Sequence, residues 1–241
     1  KEVPDTYSDR EMNLETGLTD RSGDVVADEV GERAVEAALR IAEAAGDDTV
    51  VEILSVGPES AADSVRRGIA MGAADAYLVS DAALAGADVT LTAEVLAKLV
   101  EKQGYDLVIA GAESSDGGSG VIAPMIGELL GWPALTNLTE VAVADGRVTA
   151  TQASDGATVE LAAALPAVVS VADEFADPRY PNFKGLMAAK KKELHAVTLA
   201  DLGVDAEDFT HPRAIMVDIE RRPERERGEI IDGNSTAATR L

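Results

Sequence analysis

The sequence predicts an α/β fold with a doubly wound, mostly parallel sheet, an antiparallel β extension and a C-terminal arm. Short apolar runs alternate with longer segments of helical periodicity from residue 28 to residue 130. This alternation indicates parallel strands joined by right-handed crossover helices. Beyond residue 130, Asp145-Gly146 and Asp155-Gly156 separate β-rich runs, and Asp-Gly pairs in this setting are typical of hairpins. Past Lys192 the chain becomes a polar, charge-dense arm.

The periodicity of apolar residues assigns each element in chain order. Helices are predicted over 28–46, 60–71, 91–103 and 120–130. Strands of the parallel sheet are predicted over 49–56, 76–79 and 106–111. The antiparallel extension is predicted over 139–144, 147–152 and 159–164. We therefore expect one compact domain followed by a long extension.

Composition excludes several classes of function. The chain has 44 acidic and 21 basic residues, a net charge of −23, and such a field repels nucleic acid and anionic membranes. Only seven residues are lysine, and an acid-rich, lysine-poor surface around an apolar core indicates adaptation to high salt, which screens the self-repulsion. Cysteine is absent, so this chain forms no disulfide, thiolate or iron–sulfur site. No apolar run reaches membrane-spanning length and no signal peptide is visible, so we expect a cytoplasmic protein without direct membrane insertion.

Residues with catalytic or metal-binding potential are sparse. The two histidines, His195 and His211, stand apart from any second metal-type ligand pattern, and surface or capping positions are expected for both. The chain has no Ser/His/Asp, Cys/His or paired-carboxylate arrangement that would support catalysis. We expect no catalytic residue and no metal site.

A glycine-rich loop directly follows the predicted strand 106–111 and reads Gly111-Ala-Glu-Ser-Ser-Asp-Gly-Gly-Ser-Gly-Val-Ile-Ala-Pro-Met125. In open α/β sheets, ligands bind at the carboxyl ends of the strands. Small residues let the backbone approach a phosphate, and free N–H groups at the next helix bind its charge. The alternative is an ordinary flexible loop, but the position after a strand favours a phosphate site.

A composite motif near the C-terminal end is more specific. It reads Asp177-Pro-Arg-Tyr-Pro-Asn-Phe-Lys-Gly-Leu-Met-Ala-Ala-Lys-Lys-Lys192 and is preceded by the apolar run Leu165-Pro-Ala-Val-Val-Ser-Val171. This order resembles the signature of the electron-transfer flavoprotein β subunit, here of a halophilic type. In that family a Leu-Pro strand leads to a Pro-Arg-Tyr/Leu-Pro segment, an exposed hydrophobic anchor and an Ala-Lys-Lys-Lys run.

The resemblance extends over almost the whole chain and implies a particular domain organisation. The expected fold is the doubly wound sheet of the adenine-nucleotide α-hydrolase-like type. A nucleotide-binding domain is expected over 1–192, ending in a partner-recognition loop at 177–192, and an arm that packs on an α subunit over 193–241. The first residues, Lys1-Glu-Val-Pro-Asp-Thr6, look like the segment just after the family's first strand. We expect that strand to be trimmed rather than lacking, because its loss would expose unpaired backbone groups; the family's usual final helix is also missing.

The resemblance also implies a nucleotide site. The family commonly has Asp-Gly-Asp-Thr-Ala-Gln-Val-Gly-Pro in the loop, where it holds the phosphate of a structural AMP; here Asp116, Gly117 and Pro124 match. Val121 stands in the place of the glutamine, which removes one amide donor. Ser55-Val-Gly-Pro58 resembles the segment that faces the adenine, and Asp28 takes the place of an asparagine, although a helix N-cap is the favoured interpretation of Asp28. The expected cofactor-binding residues are Asp28, Val56, Gly111, Asp116, Gly117, Gly118, Ser119, Gly120, Val121 and Ile122.

The segment 177–192 implies a docking site for other proteins. Apolar anchors with a charged rim are typical of binding hot spots, and Phe183 takes the place of the side chain that the family inserts into partner dehydrogenases. Arg179 and Tyr180 are expected to shape the turn through a salt bridge and a packed ring. The expected docking residues are Phe183, Leu186, Met187, Lys190, Lys191 and Lys192.

The function implied by the resemblance is that of an electron carrier subunit, not an enzyme. The chain is expected to pair with an α subunit that holds the redox FAD, to bind AMP, and to pass electrons from flavin dehydrogenases to a membrane quinone reductase. Two alternatives stay open. A second FAD occupies the nucleotide site in bifurcating members of the family, and a stand-alone adenine-nucleotide-binding module would share the doubly wound fold.

Overall fold

A computed structural model describes residues 1–7, 9–46, 48–225 and 228. The strands are β1 (Glu2–Pro4), β2 (Val25–Ala27), β3 (Glu52–Val56), β4 (Asp75–Val79), β5 (Leu107–Gly111), β6 (Ala134–Ala144), β7 (Arg147–Ser154), β8 (Ala157–Ala164), β9 (Ala167–Val171) and β10 (His195–Val197). The helices are α1 (Glu29–Ala45), α2 (Ala62–Met71), α3 (Val89–Gln103), α4 (Ile122–Leu130), α5 (Phe183–Lys191) and α6 (Leu199–Leu202). Short 3₁₀ turns lie at Glu59–Ala61 and Ala82–Leu84.

The strands form a mixed α/β architecture with both parallel and antiparallel pairing, as the sequence predicts. One sheet has the order β10-β4-β3 and is parallel throughout. A second sheet has the order β5-β9-β6-β7-β8, parallel from β5 to β6 and antiparallel from β6 to β8. The hairpin β6–β7 turns at Asp145 and Gly146, both at positive φ, which is what a tight turn between twisted strands requires.

The structure divides the expected single parallel sheet into two. β3 ends the first sheet and β5 ends the second, and within the described ranges no strand pairs with the outer edge of either. Both strands are mostly half-buried, whereas parallel strands are normally covered on both faces. Residues Glu2–Pro4, just after the expected position of the family's first strand, pair antiparallel with β2 instead.

The packed domain continues beyond the expected boundary at Lys192. β10 pairs with β4 in parallel, and Val197, Leu199 and Val204 are buried in the cluster beneath α3. The next residues cross the start of α3: Thr90 Oγ1 donates to the Pro212 carbonyl at 2.7 Å, and Arg213 pairs with Glu94 at 2.5 Å. The first part of the expected arm therefore packs on this chain.

Aliphatic side chains fill the core on both faces of the sheets. Among the most buried side chains are Leu99, Leu138, Val79, Val95 and Val168. This packing agrees with a chain in which aromatic residues make up 3% of the sequence. Parallel pairing places the carboxyl ends of β5 and β9 side by side, next to the middle of β6, where the glycine-rich loop begins.

Candidate functional site

The glycine-rich loop joins β5 to α4 and presents a row of unpaired backbone donors. Gly118 and Gly120 adopt φ of 55° and 65°, a region that favours glycine. In the described structure, the backbone N–H groups of residues 119–123 have no protein acceptor, and Val121, the N-cap of α4, makes no side-chain capping bond. Five consecutive free donors at a helix N-terminus are suited to hold an anion such as a phosphate.

The Asp116 carboxylate is bound by neighbouring groups of the protein. Its Oδ1 accepts hydrogen bonds from Lys1 Nζ and from the Gly117 N–H, each at 2.6 Å. Burial alone would raise the pKa of Asp116, but hydrogen bonds involving Lys1 and Ser114, with the Lys1 charge, lower it. The carboxylate is therefore ionised and engaged within the protein, so Asp116 shapes the loop rather than offering a free ligand-binding group.

Asp28 is buried and caps α1, as the favoured interpretation of its sequence position holds. Its Oδ2 accepts from the Gly31 N–H at 3.1 Å. Its Oδ1 accepts from the Ser115 N–H at 2.8 Å. The second bond ties the glycine-rich loop to the start of α1, a contact that sequence reasoning did not provide.

Gly111 and Val56, two of the expected cofactor-binding residues, take part in packing within the fold. A Cβ at Gly111 would lie 3.0 Å from the Val30 carbonyl carbon and 3.1 Å from the Gly31 nitrogen, so glycine is needed there for the packing of α1 on β5. Val56 is half-buried and packs against the cluster under α3 that includes Val79.

An open cleft of about 310 Å³ borders the loop on the side of β6 and β9. Its lining includes the polar residues Ser114, Asn137 and Thr139 and the acidic residues 113, 173 and 174. Asn137 has φ 54° at a register shift of β6, and its N–H donates to Ser170 Oγ at 3.1 Å. Sequence reasoning missed this cleft because it began the strand at residue 139. The available sequence signal for the cleft was the Thr136-Asn137 pair, which follows an apolar stretch.

The expected recognition loop is largely a helix, α5, with a buried and an exposed face. Gly185 and Ala189 face α2: a Cβ at Gly185 would lie 2.4 Å from the Ala70 carbonyl oxygen, and Ala189 is buried in the α2 cluster. The remaining apolar side chains are exposed, namely Phe183 (78%), Leu186 (41%) and Met187 (41%).

The lysines and flanking residues of this segment divide between solvent and ion pairs. Lys190 and Lys191 are exposed, whereas Lys192 is half-buried and its Nζ lies 3.0 Å from Asp75 Oδ2. Arg179 forms the expected salt bridge, with Glu36 and Glu43. The expected packing of the Tyr180 ring is wrong, because that side chain is 91% exposed.

Replacing Gly185 with alanine is expected to lower the free energy of unfolding by about 1–3 kcal/mol, because the new methyl group overlaps a rigid backbone carbonyl. The helix must shift away from α2, and α5 should become more susceptible to limited proteolysis. Chemical denaturation and proteolysis of wild type and variant measure both effects. Lys184→Ala, at the neighbouring exposed position, is the control. Equal stability of the Gly185 variant would mean that α5 does not pack this tightly in solution.

Each histidine lies beside one carboxylate rather than within a set of potential metal ligands. His195 Nε2 lies 3.1 Å from Asp75 Oδ1, and its ring stacks on Tyr77 with centroids 4.6 Å apart. His211 Nδ1 lies 3.3 Å from Glu94 Oε1. The described residues contain no group of three or more potential metal ligands.

Among the same residues, none of the helices is both long enough and apolar enough to span a membrane.

Comparison with known proteins decides the family. A family model described as "Electron transfer flavoprotein domain" matches residues 16–202. The chain belongs to the electron transfer flavoprotein family. The match includes the glycine-rich loop and α5, and it ends with α6, beyond the expected boundary at Lys192.

Similar members of the electron transfer flavoprotein family carry the name "Electron transfer flavoprotein subunit beta". The protein from Mycobacterium leprae (strain TN) is 43% identical over 213 residues, 86% of this chain and 80% of the relative. The protein from Thermoanaerobacterium thermosaccharolyticum is 33% identical over 97% of this chain and 90% of the relative. The protein from Bacillus subtilis (strain 168) is 30% identical over 94% of this chain and 88% of the relative. The resemblance to the β subunit family is thereby confirmed.

Proposed function

We propose that this chain is the β subunit of a heterodimeric electron carrier whose α subunit holds the redox FAD. The observation that carries the proposal is the exposed apolar face of α5 in a member of this family. A helix that is anchored by Gly185 and Ala189 and turns Phe183, Leu186 and Met187 to solvent is suited to dock other proteins. Flavin dehydrogenases are the proposed donors and a membrane quinone reductase the acceptor, so the chain serves as a carrier, not as an enzyme.

The nucleotide site proposed for the β subunit is the row of free N–H groups at residues 119–123. AMP is the proposed ligand, with its phosphate on these donors. The acidic residues 113, 173 and 174 in the lining of the neighbouring cleft disfavour a phosphate there, so the cleft suits an uncharged ring. Gly117, Gly118 and Gly120 leave the backbone open to the ligand, while Asp28 and Asp116 hold the loop in place. Val56 and Gly111 contribute through packing.

A second candidate for the same site is FAD, as in the bifurcating type. The observation that favours it is the cleft of about 310 Å³, which shares Ser114 and Ser115 with the loop. This volume lies in the range of small-molecule sites and offers room for a ring system beside the phosphate row. The two candidates differ in the number of flavins that each heterodimer contains.

The α subunit is proposed to cover a second apolar surface. It consists of side chains from residues 12–18 and 215–217 that are all exposed: Met12, Leu14, Leu18, Ile215, Met216 and Val217. Met216 lies against Gly17, so the two segments are contiguous. Arg10, two residues before the first segment, donates to Ser115 Oγ of the glycine-rich loop at 3.2 Å. An α subunit bound here would bring its FAD close to the nucleotide site.

Coexpression with the α subunit should give a yellow complex with one copy of each chain, one FAD and one AMP. Size-exclusion chromatography at high salt measures the stoichiometry of the chains. Acid extraction followed by mass spectrometry identifies the bound nucleotides. A colourless monomer that ignores the α subunit would overturn the proposal. Two FAD molecules and no AMP would favour the bifurcating type, and FAD alone would overturn the nucleotide site.

We also propose that the protein is cytoplasmic and adapted to high salt. The charge of −23 with only seven lysines supports this, because dissolved salt screens repulsion among the surface carboxylates.

A further inference from the structure

Residues 211–217, called the strap from here on, cross the start of α3 and are bound by side chains at that end of the helix. Thr90 Oγ1 donates to the Pro212 carbonyl at 2.7 Å. The Ala214 N–H donates to Asp88 Oδ2 at 2.5 Å. Because Asp88 is also the N-cap of α3, one carboxylate binds both the helix and the strap. The backbone of the strap is therefore fixed to α3.

A buried ion pair between Glu94 of α3 and Arg213 of the strap adds to these contacts. Arg213 Nη2 donates to Glu94 Oε2 at 2.5 Å, and the two side chains are 6% and 12% exposed. Arg213 Nη1 donates to the Pro212 carbonyl at 3.0 Å, whereas its buried Nε has no partner in the described part of the chain. Removing one member of a buried pair leaves the other charge uncompensated, which costs much more than the loss of an exposed pair. The burial of Arg213 therefore depends on Glu94.

The other charged groups around the strap are mostly carboxylates. Asp88 binds the strap backbone, and the charges of His211 and Arg213 also act on Asp208, just before the strap. His211 Nδ1 lies 3.3 Å from Glu94 Oε1, but its side chain is 54% exposed, and its charge depends on pH. Arg213 is always charged. Its charge therefore makes the contact between the strap and α3 attractive at every pH at which the carboxylates are ionised.

The residues that follow the ion pair are apolar and exposed. Ile215 is 71% exposed, Met216 51% and Val217 89%. Met216 lies so close to Gly17 that a Cβ at that glycine would overlap its sulfur, so the strap is continuous with the exposed apolar side chains of residues 12–18. A second copy of this chain would bring another charge of −23 to this surface, which opposes self-association. These features favour a different partner chain, and the α subunit is the proposed occupant.

We propose that Glu94 and Arg213 are positioning residues for assembly of the heterodimer, because they hold the strap on α3 with residues 215–217 turned toward the α subunit. This inference rests on the proposed function and names the groups that fix one part of the surface that the α subunit covers. A strap that is already held in place loses less conformational freedom when the partner binds, which favours association. Val204, which precedes the strap, is buried in the cluster beneath α3, so release of the strap leaves the core packed.

The experiment uses the intact heterodimer at high salt, with Glu94→Gln as the test variant. Sedimentation velocity over a dilution series measures the dissociation constant, which should rise about 10-fold or more in the variant. In the free chain, trypsin should cleave after Arg213 faster in the variant than in the wild type, because the guanidinium is no longer held in a buried pair. Glu101→Gln is the matched control, since it removes the carboxylate of an exposed ion pair with Lys98 on the same helix and should change neither measurement.

Arg213→Lys keeps the positive charge and should retain more of the affinity for the α subunit than Arg213→Met does. This comparison also carries the test if Glu94→Gln does not fold, which a thermal melt reveals. Faster cleavage after Arg213 with an unchanged dissociation constant would overturn the inference while the proposed function stands. An equal loss of affinity in Glu101→Gln would do the same, because the effect would then be one of overall charge. A wild-type chain that forms no heterodimer would overturn both.

Discussion

Replacing Phe183 with alanine is expected to lower kcat/KM for electron transfer from a flavin dehydrogenase about 30-fold, which corresponds to a docking loss of about 2 kcal/mol. The side chain is 78% exposed, and α5 is held on α2 by Gly185 and Ala189 rather than by Phe183. The substitution should therefore leave the melting temperature and the flavin spectrum unchanged. Rates at saturating donor concentration should change much less, because the electron path within the docked complex is preserved.

Steady-state transfer over a range of donor concentrations, measured beside a thermal melt, tests this expectation. Leu129→Ala is the matched control, since Leu129 is an exposed aliphatic residue on α4 outside the docking face. If Phe183→Ala keeps full transfer while the melting temperature drops, Phe183 is a packing residue and donors dock elsewhere. If both variants lose transfer equally, the effect is not specific to α5.

The elements that the sequence predicts well are those with strong local periodicity. α1 and α3 have a buried face and an exposed face at helical spacing, and the Asp-Gly turns mark the ends of β7 without ambiguity. β3 is shorter than predicted because its register with β4 begins at Glu52, with one further bond from the Ala74 N–H to the Val51 carbonyl at 2.8 Å. The pattern of apolar residues indicates roughly where a strand lies, but hydrogen bonding to a neighbouring strand decides at which residue the strand begins.

The sequence analysis predicts a loop where the structure has helix α5. Local signals for a helix are present, but proline and glycine residues and a lysine run in the same segment obscure them. Asn182 is a favourable N-cap, whose side chain accepts from the Gly185 N–H at 2.8 Å. Gly185 and Ala189 are spaced four residues apart, as residues on one face of a helix are. The same sequence that displays the apolar anchors thus also attaches the helix to α2.

Contacts between distant parts of the chain could not be read from the sequence. The pairing of β10 with β4 links residues 195–197 to residues 77–79, and a strand of three residues has little periodicity to detect. The position of the glycine-rich loop is predictable because the loop directly follows a strand. Its contacts with the first residues of the chain are not, because Lys1 and Arg10 meet Ser114 and Ser115 across more than a hundred residues.

Replacing Glu36 with glutamine is expected to lower the free energy of unfolding by about 2 kcal/mol at neutral pH. The carboxylate is buried and accepts from Arg179 Nε at 2.8 Å and from Arg40 Nε at 2.6 Å. Burial alone would raise the pKa of Glu36, but the hydrogen bonds from Arg179 and Arg40 outweigh it and lower the pKa from 4.5 to about 2. Glutamine keeps one acceptor oxygen but removes the charge that both guanidinium groups face.

The same contacts predict how the effect depends on pH. Because the pKa of Glu36 is lower in the folded state, the charge contributes fully above pH 4.5, and this contribution is lost as the pH falls to about 2. The difference in stability between wild type and Glu36→Gln should therefore be constant above pH 4.5 and shrink below it, as measured by denaturant unfolding at each pH. Glu43→Gln, which removes the exposed partner of the same arginine, should change stability little. A difference that persists undiminished at pH 2 would mean that Glu36 contributes through packing and not through its charge.

Arg179 stands just before α5, so the Glu36 variant should also weaken donor docking. In that variant docking and stability fall together, whereas Phe183→Ala affects docking alone.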